Sequence, residues 1–283
     1  MDESTKAKYN ERLKRVNDAI AMEGEPDRVP CIPFAQTYPI IHSGHTVAEA
    51  MYDASLASDA FIKYTLEYEP DMGNTFGSMF AGLGPMFDKL GLNWLRWAGM
   101  PGDIVAENSI HQYIETEYME DDEYRDLLGD YSGFMMNKYL PRSCQAAESL
   151  AGANFTTLNG YGLFPGMMPF MDPRIAQAFQ AFAEAGYLYI ENAKVVGACE
   201  AQLEELGFPL QIGATTTVAY DAISDTLRGT MGMMEDVLMQ PETVHAAIER
   251  MYPGSFYGAL AQMEHTRGRC GCSSRCTRAW TAS

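Results

Sequence analysis

The chain contains no run approaching the roughly 20 uncharged apolar residues that span a bilayer, so no transmembrane helix is expected. It also lacks the apolar core of a signal peptide: the opening MDESTKAKYNERLKRV is charged from its second residue. A cytoplasmic protein without membrane partners is therefore expected. Positive charge is scarce as well, with 20 Lys and Arg against 38 Asp and Glu and a formal net charge of -18. That balance excludes nonspecific affinity for nucleic acid or an anionic membrane and predicts an acidic, solvated surface. Paired cysteines are missing from the body of the chain. Cys31, Cys144 and Cys199 stand singly in apolar or helical contexts, which argues against a disulfide framework and for buried free thiols. Internal repeats, low-complexity tracts and an interdomain linker are absent too.

What is present is enough apolar material for a full core: 47% of the 283 residues are hydrophobic. Tyr9, Leu13, Val16 and Ile20 recur at helical spacing and predict an amino-terminal helix closed by Gly24 and Pro26. Val29 to Phe34 reads as a strand feeding the polar loop Ala35-Gln36-Thr37-Tyr38-Pro39. Thr46 and Glu49 form a capping-box pair that opens a helix running to about Tyr68. Asp71 to Phe76 is a second expected strand, and the Gly-, Phe-, Met- and Trp-rich stretch from Gly77 to Gly102 is expected to pack on the core. Glu115 to Asp130 reads as a solvated acidic helix. Asp172-Pro173 caps a long helix with the stripe Ile175, Phe179, Phe182, Gly186, Tyr189 and Ala193, ending at Gly207. Leu210 to Ala214 is an expected strand, followed by Thr215-Thr216-Thr217 and helices, the last opened by Pro241. Strand, helical insertion, strand, helix is the grammar of a parallel α/β fold.

Three blocks carry a resemblance. They are MEGEPDRVPCIPF at Met22 to Phe34, EYMEDDEYRDLLGDYSGFMMNKYLPR at Glu117 to Arg142, and GFPLQIGATTTVAYDAISDTLRGTMGMMEDVLMQPETVHAAIERM at Gly207 to Met251. Together the chain resembles the uroporphyrinogen decarboxylase superfamily, in its methyltransferase-like branch, up to about Thr266. The resemblance implies an α/β fold: an incomplete (β/α)8 TIM barrel with a helix-rich insertion, not closed. It implies residues 1–266 as the amino-terminal part of such a barrel domain.

The same resemblance sets two chemistries against each other. A decarboxylase acting on a porphyrinogen needs a cationic pocket for its many carboxylates, yet the first loop holds no basic residue. Ser78, in Phe76-Gly77-Ser78, stands where the family's catalytic aspartate is expected. A corrinoid-linked methyltransferase, acting on a small methylated substrate with the cobalamin carried by a partner protein, is the favoured implication. No cofactor or metal is expected on this chain itself; zinc ligands of related methyltransferases would fall beyond Thr266. The implied substrate shell is Gln36, Tyr38, Asn74, Thr75, Ser78, Thr215, Tyr220 and Asp221, each of which could instead satisfy local loop hydrogen bonds. His42 and His45 read as an exposed turn, and Arg228 with Asp236 as a structural pair.

From Arg267 the composition changes to RGRCGCSSRCTRAWTAS, rich in arginine and cysteine and free of acidic residues. Cys270, Cys272 and Cys276 with His265 would supply a zinc ligand set, but their spacing matches no common zinc pattern. A shifted reading frame over 267–283 is the preferred reading, because the next frame permits an apolar strand ending in a histidine-containing loop. It makes an inactive fragment a third functional reading, and it predicts a tail without a packed apolar face.

Overall fold

The computed structural model describes residues 1–22, 24–102, 104–153, 167–211 and 213–265, and the backbone of 272–275. Its described residues are mostly helical. The helices are α1 (Glu3–Ala21), α2 (Tyr38–His42), α3 (Val47–Tyr52), α4 (Ala54–Tyr68), α5 (Gly84–Leu90), α6 (Tyr124–Gly129), α7 (Tyr131–Phe134), α8 (Leu140–Ser143), α9 (Pro173–Glu205), α10 (Ala219–Ile223), α11 (Gly229–Met239) and α12 (Pro241–His265). Short strands β1 (Leu95–Arg96) and β2 (Gln112–Tyr113) pair antiparallel, and β3 (Ala214–Thr217) pairs parallel with β4 (Cys272–Arg275).

The expected (β/α)8 barrel, closed or open, is not there: the described strands form only two separate two-stranded sheets. The physical reason lies in the segments expected as strands. Pro30 and Pro33 remove backbone donors from the first of them. The Cys31 N–H donates to the Asp71 side chain at 2.7 Å instead of to a ladder carbonyl. Contact between the expected strands shrinks to isolated links: Asp71 N–H to Cys31 O at 2.9 Å, Gly73 N–H to Pro209 O at 2.7 Å, and a single parallel bridge between Gly73 and Leu210. The third expected strand starts later, at Ala214, and Cys272–Arg275 of the tail pairs with it. The expectation that the tail lacks a packed apolar face falls on side chains outside the described residues, as do Cys270 and Cys276.

Helix ends follow their local chemistry. Thr46 and Glu49 form the reciprocal capping box, Asp172 caps α9 by accepting from Arg174 N–H, and Pro173 and Pro241 sit in first turns. The helix expected to run from Thr46 to Tyr68 is broken at Asp53, which leaves helical geometry and caps α4 by accepting from Ser55 N–H. α1 ends at Met22 with φ 55° rather than at Gly24.

Two helices bury faces that match the expected stripes only in part: on α1 Val16 is buried and Tyr9 and Leu13 half-buried, and on α9 Ile175 is buried. α1 buries Arg12, Arg15 and Val16, while Ile20 is 67% exposed. α9 buries Ile175, Ala178, Ala185, Asn192, Cys199 and Leu203, whereas Tyr189 and Phe179 face outward. Ala178, Ala185, Asn192 and Cys199 recur every seven residues, a narrow seam of small side chains that lets α4 and α5 approach closely. The large aromatics are displaced to its margins.

α9 joins two cores. Its first turns pack Ile175 and Ala178 with Cys144, Ala147 and Leu150. Its last turns pack Cys199 and Leu203 with Phe61, Phe76 and Leu210. A third cluster gathers Val47, Met51, Leu83, Phe87, Leu95 and Trp97, so the Gly77–Gly102 stretch packs as expected. The fourth joins Tyr124, Leu127 and Phe134 to Ile223, Leu227, Met233 and Val244.

Candidate substrate site

The segments preceding Gln36 and Asn74 are fixed at their base by a buried carboxylate. Asp71 is fully buried and accepts from Cys31 N–H at 2.7 Å, from Arg15 Nη1 at 2.6 Å, and from Arg28 Nη1 and Nη2 at 2.7 and 2.6 Å. Burial pushes its pKa up, but the bonds from Cys31, Arg28 and Arg15 outweigh that and hold the carboxyl below its ordinary value. Arg15 also donates to Asp27 and Glu11. Arg12 donates to Gly207 O at 2.7 Å and lies 3.8 Å over the Phe208 ring, docking α1 on the end of α9. Gly207 has φ 88°, and a Cβ there would lie 2.9 Å from the Thr5 methyl, so the close approach requires glycine.

Of the expected shell, Gln36, Asn74 and Thr75 fall on these neighbouring segments. Asn74 is 9% exposed and donates to Pro33 O at 3.5 Å. Thr75 precedes the short 3-10 turn Phe76–Met79 and leaves its hydroxyl out of any cap. Gln36 is exposed in the left-handed region at φ 48°, an uncommon conformation for a non-glycine residue. Ser78 lies in the same 3-10 turn, and its side chain is outside the described residues.

The remaining expected residues are engaged elsewhere. Thr215 is bound through its backbone to α12, its N–H donating to Gln262 Oε1 at 3.0 Å and its carbonyl accepting from Gln262 Nε2 at 3.2 Å. Tyr220 packs against the carboxy-terminal cluster. Asp221, beside it on α10, is 2% exposed, and its Oδ2 has no hydrogen-bond partner among the described residues.

Tyr38 turns toward an aromatic cluster that pattern reading missed. Its ring stacks on His42 with centroids 5.2 Å apart, and its hydroxyl lies 2.9 Å from the Tyr68 hydroxyl. That bond and partial burial push the Tyr68 phenol up to about 12. Tyr64 completes the group against Tyr68, and His42 Nε2 lies 2.9 Å from Glu67 Oε2. The available signal was spacing: Tyr38 and His42 are four apart, as are Tyr64 and Tyr68, so each pair shares a helix face. His45 goes with Glu49 at 3.9 Å rather than with His42. Among the described residues no group of three His, Cys, Asp or Glu side chains converges on a common point.

Charge pairing elsewhere is structural. Arg228 Nε donates to Asp236 at 2.6 Å, both buried, with Tyr124 OH donating to the same carboxylate at 2.8 Å. The acidic run is not simply solvated. Glu123 is 7% exposed and takes a bidentate bond from Arg142, at 2.6 and 2.8 Å, plus Lys138 at 2.7 Å. Of the thiols, Cys144 and Cys199 are buried and free, whereas Cys31 is exposed, correcting its expected burial. Burial raises the Cys199 thiol to about 11.

No family model, curated protein or solved structure matches the chain. Among the described residues, no helix is long and apolar enough to cross a membrane.

Proposed function

We propose that this chain is an enzyme of the uroporphyrinogen decarboxylase superfamily that serves corrinoid-linked methyl transfer. In this reading Gln36, Asn74 and Thr75 bind a small methylated substrate or its acceptor. The family reading rests on the three sequence blocks alone, without support from the fold.

The observation that carries the choice of chemistry is the state of the arginines. Arg28 spends both terminal nitrogens on Asp71, and Arg15 divides its donors among Asp71, Asp27 and Glu11. A porphyrinogen substrate brings many carboxylates that must be paired on leaving water. Releasing these guanidinium groups to it would orphan a buried aspartate. A neutral donor-and-acceptor set such as Gln36, Asn74 and Thr75 suits a small substrate of low charge. It would orient the acceptor by hydrogen bonds, and a corrinoid carried by a partner protein would supply the methyl-transfer chemistry.

The test is the visible spectrum of methylcobalamin incubated with the protein and thiol or pterin acceptors. Loss of the methylcobalamin spectrum is expected, slowed at least about tenfold by Asn74→Ala. An unchanged spectrum, with conversion of uroporphyrinogen to coproporphyrinogen by the same protein, would replace this reading with the decarboxylase one.

A further inference from the structure

Helix α11 is apolar on both sides. Gly229, Gly232, Met233 and Asp236 are buried, and Asp236 is neutralised by Arg228. The outward positions are Met231 (75% exposed), Met234 (58%), Val237 (39%), Leu238 (81%) and Met239 (77%). Met231, Met234 and Leu238 follow at intervals of three and four, a continuous stripe on one face. Glu235 is the only charged residue among its exposed positions. A helix of this pattern is ordinarily covered on both sides.

Charge around the stripe selects what covers it. At its amino-terminal end, Glu115 accepts from Thr230 N–H, and the exposed Glu117 stands 3.8 Å from the buried Arg228. At the other end, Gln240 donates to Asp121 O at 3.3 Å, and Glu242 opens α12. Glu115, Glu117, Glu235, Asp121 and Glu242 are all exposed, and α11 itself holds no Lys or Arg. A second copy of this chain would bring the same acidic rim and the same -18 net charge. Nucleic acid and anionic lipid are repelled for the same reason.

We propose that α11 is a docking surface for a basic amphipathic helix of a partner protein. The partner's apolar face lies on Met231, Met234 and Leu238, whose unbranched or flexible side chains adapt to it. Its lysines or arginines meet the five carboxylates.

The test is titration of the full chain with a Leu/Lys amphipathic peptide of about 18 residues, or five helical turns, followed by calorimetry. A Leu/Glu peptide of the same pattern is the comparison. Saturable binding of the Leu/Lys peptide, weakened by added salt, is expected. Leu238→Lys should weaken it by at least about tenfold, while Tyr187→Lys on α9 leaves it unchanged; circular dichroism checks that both variants remain folded. Three results would each overturn the proposal: no Leu/Lys binding, equal binding of the two peptides, or equal loss in both variants. Self-association that covers α11, abolished by Leu238→Lys, would also overturn it in favour of a second copy.

Discussion

Arg15 and Asp71, 56 residues apart in sequence, form a fully buried ion pair with Nη1 2.6 Å from Oδ1. The pair fastens α1 to the segment that leads into Asn74. Asp71→Ala would leave Arg15 buried without its main interior partner, and removing one member of such a pair costs about 3–5 kcal/mol. Urea unfolding should show that loss in the midpoint. A variant within about 0.5 kcal/mol of the parent would mean that the pair is not a fastening point.

Stability should fall in acid through Glu123. The Arg142 bond, against burial and with help from Lys138, lowers its carboxyl from 4.5 to about 2. A carboxyl with a depressed folded value stabilises fully above its unfolded value and loses that contribution as pH falls through the folded one. The window here is from about pH 4.5 down to about pH 2. Glu123→Gln should lower stability at neutral pH and flatten the acid limb of the curve. A parallel curve, merely displaced, would show that another group sets the acid limb.

Gly82 and Asn192 make the α9 seam testable. Gly82 has φ 79°, and a Cβ would meet the Asn192 side-chain oxygen and lie 2.6 Å from the Ala54 Cβ. Gly82→Ala should therefore destabilise by about 1–3 kcal/mol, combining backbone strain with overpacking. Asn192 Oδ1 is buried without a hydrogen-bond partner among the described residues. Asn192→Ala, which removes that oxygen and opens room beside Gly82, should recover part of the loss in the double variant. Thermal melts of both single variants and the double read this directly; strict additivity would show that the two residues do not press on each other.

The legible parts of this chain were its local signals. Thr46 with Glu49, Asp172 with Pro173, and Gly207 each act within a few residues, and each does what its chemistry dictates. The Arg228–Asp236 pair was readable because its members lie only eight residues apart in sequence. Layer architecture was not legible. Val29 to Phe34 has the apolar character of a strand, but its prolines and the side chain of Asp71 take the place of a ladder. The face that α9 buries is hidden in the sequence because a seam of alanine, asparagine and cysteine at sevenfold spacing carries a weaker hydrophobic signal than the aromatics beside it. For the candidate site, Asn74 and Thr75 follow the end of an expected strand, so their place on the segment after Asp71 was readable from sequence. The Tyr38–His42–Tyr64–Tyr68 cluster needs two helices brought together, which no single stretch reveals.

The fate of an isotopically labelled methyl group decides whether this chain carries out methyl transfer. Labelled methylcobalamin, the protein and a thiol acceptor are incubated, and the acceptor is recovered and analysed by mass spectrometry. Labelled thioether that depends on the protein and is diminished by Asn74→Ala is expected. No label above the protein-free control across thiol and pterin acceptors would contradict it.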